Sequence, residues 1–148
     1  MTLIWAMAPL PNIEPVSLFV MLFAVTFGRK CIYPICVYVA MEILVYGINL
    51  WNIYYLYVWT VLAVAAILMR KVESPIAWAL LSAVFGLLFG ALCGIADIFA
   101  GGLAFAVSKW AMGVPFDVTH CIGNFVIAIV LFQPLRKLLQ KLYSRVSR

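Results

Sequence analysis

The sequence predicts an all-α, polytopic membrane helix bundle, and three observations carry that fold class. Hydrophobic residues make up 68% of the 148 and charged residues only 10%, where an average globular domain has roughly 45–50% and about 25%. The apolar residues come in long uncharged runs that need lipid rather than water around them. Of the ten Lys and Arg, which leave a formal charge of +5, nine sit in short clusters at alternate turns, as the positive-inside rule requires. The chain is therefore read as a single transmembrane domain, 1–148. It has no soluble basic domain to carry a nucleic-acid footprint, so its cations are topology signals and anionic-lipid contacts with the bilayer.

The first eleven residues, MTLIWAMAPLP, lack the basic start of a signal peptide and are too short and proline-broken for a full span. They read as the remnant of a first membrane helix or as an outer interfacial segment. Asn12-Ile13-Glu14-Pro15 is a loop, with Glu14 placed to cap a helix and Pro15 to occupy its first turn. The run Val16 to Phe27 that follows is short against a hydrocarbon core of about 30 Å. Gly28-Arg29-Lys30 ends it. A second run, Cys31 to Tyr46, contains Pro34 and Glu42, and Glu42 must be protonated, paired or turned to a cavity. After the turn Gly47 to Asn52, a third run extends from Ile53 to Met69 and stops at Arg70-Lys71.

Ser74-Pro75 is a cap and first-turn pair for a fourth run, Ile76 to about Gly94. Within it Ser82, Gly86, Gly90 and Gly94 recur every four residues, a smooth stripe that lets another helix approach closely. That neighbour is either in the same bundle or in a separate membrane subunit. The segment 95–111 is ambiguous, and parity constrains it. A full crossing there would put the five basic residues of the tail outside, so an outer helix, a re-entrant piece or an extension of the fourth run is expected. The last span is Val118 to Phe132. Beyond it, 135–148 is an amphipathic cytoplasmic tail, with Leu135, Leu138, Leu139, Leu142 and Val146 on one face and the cations on the other.

Nine of the ten basic residues mark the inner turns, at Arg29-Lys30, Arg70-Lys71 and the tail. The outer turns are then 12–14, 49–52 and 109–117, and Trp51, Tyr54, Tyr55, Tyr57, Trp59 and Trp110 gather near that level as an aromatic belt.

The chemistry-bearing residues concentrate on the outer side. Asp117, His120 and Asn124 lie three and four residues apart, on one face of a helix that is otherwise apolar. Such groups belong in a bundle interior or a wet cavity, since hydrocarbon penalises them. The candidate ligand site comprises Asn12, Glu14, Asn49, Trp51, Tyr55, Asp97, Trp110, Asp117, His120 and Asn124, an apolar, aromatic-walled set with a few hydrogen-bonding groups. The competing reading makes the Asn and Asp residues helix caps and the aromatics interface anchors. A catalytic role has little to support it, because the single histidine stands with no nucleophile motif. A metal role for Asp117, His120 and Cys121 lacks a second ligand cluster. Cys31, Cys36, Cys93 and Cys121 have no C-x-x-C spacing and read as buried thiols. No cofactor is called for.

The order Pro9-Leu-Pro-Asn-Ile-Glu-Pro15, then Gly28 with basic neighbours, a Trp/Tyr-rich third turn, a glycine-striped helix, and Gly113-Val-Pro-Phe-Asp117 with His120, Asn124-Phe125 and Pro134-Leu135 resembles the substrate-binding S component of energy-coupling factor (ECF) transporters. The resemblance implies a six-helix fold that captures a vitamin or similar micronutrient from outside. It also implies partners, a membrane coupling subunit and two ATP-binding-cassette ATPases, with no hydrolysis by this chain itself. The family's first helix carries an A-x-x-x-A arrangement that docks the coupling subunit, whereas Leu3 to Ala8 here keep Ala6 and Ala8 two apart. The first helix is thus expected to be truncated or lost. The alternative function is a structural or assembly membrane protein with no small-molecule ligand.

Overall fold

A computed structural model describes residues 15–146. They are all-helical, without strands, and three helices are long and apolar enough to cross a membrane. The expectations for Asn12, Glu14 and the 1–11 remnant lie outside the described residues.

Helix α1, Val16–Phe27, is only 12 residues long, about 18 Å. A 3-10 turn, Gly28–Cys31, joins it to α2, Ile32–Tyr46, and Pro34 falls in the first turn of α2, where its missing N–H costs nothing. Gly28 adopts φ 59°, a conformation that glycine takes without steric penalty. Helix α3, Leu50–Leu68, has 19 residues, about 28 Å. It folds back on α2 as an antiparallel hairpin. Tyr38 packs on Tyr55 and Trp59, with ring centroids 5.7 and 6.4 Å away.

The remainder, Pro75–Val146, is a helical hairpin folded at Gly102, whose φ 81° and ψ 173° are the one non-helical pair inside it. We call the limb 75–101 α4 and the limb 103–146 α5. Their antiparallel register is read from three contacts. Asp97 meets Lys109, Gly90 meets Asp117, and Trp78 stacks on Phe132 at 4.3 Å.

This register corrects two expectations. The ambiguous segment is split at the turn: 95–101 extends α4, in keeping with the extension among its alternatives, and 103–111 forms the first turns of α5. The turn sits at Gly102, and the stretch 109–117 is helix. Pro115 is accommodated inside α5, where the hydroxyl of Thr119 donates to its carbonyl at 3.0 Å. The glycine stripe also finds its neighbour within the bundle. A Cβ on Gly86 would lie 2.9 Å from the backbone of His120, and one on Gly90 would lie 2.5 Å from the carboxylate of Asp117. That stripe packs α5 and is not free to dock a second subunit.

The core gathers Leu18, Met21 and Leu22 of α1, Tyr54, Val58, Leu62 and Ala66 of α3, Trp78 of α4 and Phe132 of α5. The aromatic belt is corrected as well. Tyr54 and Trp59 are buried, and the hydroxyl of Tyr57 donates to the carbonyl of Leu92 at 2.7 Å. These side chains join α3 to α4 and do not line a lipid interface; Trp51 and Trp110 alone of that set stay exposed.

The basic clusters converge at one end. The guanidinium of Arg136 donates to the carbonyls of Val72 and Arg70 at 2.9 and 2.7 Å and lies over the ring of Trp78. Phe27, next to Arg29-Lys30, packs edge-on against Tyr143. The tail is a straight continuation of α5, in which Leu135 and Leu139 pack on the core while Leu138 and Leu142 are exposed.

Candidate functional site

At the described start of α1, Ser17 meets Asn124 of α5, whose amide also reaches the carbonyl of Ser82 on α4. The other helices wall the space beyond these bonds. Between them, over the start of α1, lies a cavity of about 590 Å³, within the range of roughly 300–1,000 Å³ usual for small-molecule pockets.

Each wall is positioned by a local device. Asn49 initiates α3 by accepting the N–H of Trp51 at 2.9 Å, while Asn52 accepts the N–H of Asn49 at 2.7 Å. These two asparagines are reciprocal caps, so their cavity-lining position is secondary to holding the 47–52 turn. The turn sets Trp51 edge-on against Tyr54, at 5.3 Å between centroids. Tyr55, Trp59 and Phe89 continue the aromatic wall downward, each within 6 Å of the next.

Asp97 sits 2% exposed on α4, where it accepts from the hydroxyl of Tyr54 and pairs with the ammonium of Lys109 at 2.7 Å. Lys109 in turn lies over the rings of Tyr54 and Trp51, 4.9 and 5.5 Å from their centroids. This group clasps α3, α4 and α5 at the cavity mouth, and its charges balance.

Deeper in, the spacing of Asp117, His120 and Asn124 resolves into three different tasks. Asp117 is 5% exposed. Its Oδ1 accepts the N–H of Gly90 at 3.0 Å, an approach that a Cβ at position 90 would block. Its Oδ2 has no partner among the described residues. His120 packs edge-on against Phe89 at 5.1 Å, and neither ring nitrogen bonds to a described residue. Asn124 does not line the cavity. Its amide donates to Ser17 Oγ and to the carbonyl of Ser82, both at 3.1 Å, so it fastens the floor.

Of the residues singled out in the sequence, Asn49, Trp51, Tyr55, Asp97, Trp110, Asp117 and His120 line this one cavity. Sequence reasoning placed Glu42 only as one alternative of three; it lines the cavity and accepts a hydrogen bond from Tyr38, one turn earlier on α2. Ser17, Tyr46, Trp59, Cys93 and Phe116 also contribute. Trp59 carries a buried indole N–H with no partner among the described residues. Its signal, an aromatic four residues after Tyr55 on the same face as Asn52, was present in the pattern.

Chemically the cavity offers aromatic surface, an unpaired indole donor, an imidazole and two carboxylates beyond the one Lys109 neutralises. No family model, curated protein or solved structure matches the chain.

Proposed function

We propose that this chain is the substrate-binding integral membrane subunit of an ECF-type importer, which captures a vitamin-like micronutrient at the outer surface. The single observation that carries the reading is the cavity over the start of α1, closed below by the Asn124–Ser17–Ser82 bonds and walled by aromatic residues. In it, buried polar groups of Trp59 and Asp117 lack partners among the described residues. Buried polar groups are normally satisfied, and a ligand is a direct way to satisfy these two. In this reading, Arg29-Lys30, Arg70-Lys71 and the tail face the cytoplasm and the cavity faces outward. ATP-driven release then depends on a coupling subunit and two ATPases.

Native mass spectrometry of protein purified in mild detergent tests the reading. A bound small molecule is expected, and it should be lost in Trp51→Ala, which removes a half-exposed cavity wall. Co-purification with ATPase subunits is expected when the chain is extracted from its native membrane. Protein free of ligand in every preparation, and unaffected by Trp51→Ala, favours the structural-protein alternative.

A further inference from the structure

Taking the cavity as a substrate site, we infer that its ligand carries a positive charge, an ammonium, amidinium or cationic heterocycle, held by Asp117 and Glu42 against the aromatic wall. The argument is a charge count over the cavity lining. Among the described residues three carboxylates line it, on Glu42, Asp97 and Asp117, against one ammonium, on Lys109. Lys109 is committed to Asp97 at 2.7 Å. Among the described residues, no cation pairs with Glu42 or Asp117.

Asp117 gives the count its force. It is buried, only 5% exposed, it lines the cavity, and its Oδ2 lacks any partner among the described residues. Buried charges are paired as a rule, because an unpaired one is costly. An anionic ligand would add to the imbalance, and a neutral one would leave it. A cation removes it.

The aromatic wall has the matching property. Cations are attracted to the faces of Trp and Tyr rings, and at the mouth the protein already holds one of its own in this way. Lys109 rests over Tyr54 and Trp51. Lower down, Tyr55, Trp59 and Phe116 line the cavity together with Asp117, and no protein cation occupies that part.

The test uses the full chain in mild detergent. The molecule released by denaturation is run on cation and anion exchangers at neutral pH. In parallel, thermal stability is followed with tryptamine, tryptophol and indole-3-acetate, which share a ring and differ in charge. The inference expects retention on the cation exchanger, or a larger stabilisation by tryptamine than by the other two. It also expects binding of that cation to weaken at least tenfold in Asp117→Asn and in Glu42→Gln. Asparagine keeps the oxygen that accepts from Gly90, and Glu42 is only half-buried; should the first variant not fold, the second decides.

A released molecule that is neutral or anionic overturns the inference while the binding reading stands, as do equal shifts from all three probes or undiminished affinity in Glu42→Gln. Empty protein that none of the probes stabilises removes both.

Discussion

Asp97 occupies the most demanding position of any single residue, a carboxylate 2% exposed whose hydrogen-bonding partners are Tyr54 and Lys109. Removing the ammonium leaves a buried charge with only a phenol. Lys109→Met is expected to lower stability by about 1–3 kcal/mol, a value held down because the Lys109 side chain is itself a third exposed. Adding Asp97→Asn should recover part of the loss, read by thermal unfolding in detergent. Asn124 makes a contrasting case. Asn124→Ala should cost a similar amount, since it unfastens α1 from α4 and α5, yet a bound molecule should keep its affinity in the protein that folds, because Asn124 lies beneath the cavity. Spacing alone put Asp117, His120 and Asn124 on one face, and they are on one face. It did not show that Ser17 of α1 meets the third of them, so that two line the cavity and one fastens α1 beneath it.

The α4–α5 hairpin is the element on which the site depends, and its glycines are not equivalent. Gly90→Ala drives a methyl to within 2.5 Å of the Asp117 carboxylate, and overpacking of this kind typically costs about 1–3 kcal/mol; ligand affinity should fall with stability. Gly94→Ala meets nothing within 4 Å, and in a helix interior the exchange should be neutral or stabilising by up to about 1 kcal/mol. Urea or thermal unfolding of the two variants side by side checks both. A third variant, Gly102→Ala, places a side chain at φ 81°, ψ 173° and should loosen the hairpin by about 1–3 kcal/mol. The four-residue period of the stripe was legible in the sequence; the helix it packs against was not. The turn was misplaced for a definite reason. Gly113 and Pro115 compete with Gly101-Gly102 as breaker signals, and the φ/ψ of Gly102, with the pairing of Asp97 and Lys109, shows which glycine bends the chain.

At the scale of the whole molecule the two ends differ in kind. One end holds the basic clusters, drawn together by Arg136 bridging to the carbonyls of Arg70 and Val72. The other holds the cavity, the asparagine-capped turn and the neutral Asp97–Lys109 clasp. The division was legible in the sequence, because nine of the ten cations fall at alternate turns and the asparagines of the turns, with Asp97 and Asp117, at the others. The cavity itself was not, since its lining comes from five helices whose packing a list of apolar runs does not give. This polarity predicts an orientation. Ile48, 89% exposed in the turn before α3, and Lys71, exposed in the turn after it, lie at opposite ends of one helix. In a variant lacking the native cysteines, Ile48→Cys should react with a membrane-impermeant maleimide on intact cells, and Lys71→Cys only after permeabilisation. The reverse pattern would turn the cavity toward the cytoplasm, and capture from outside would then have no entrance.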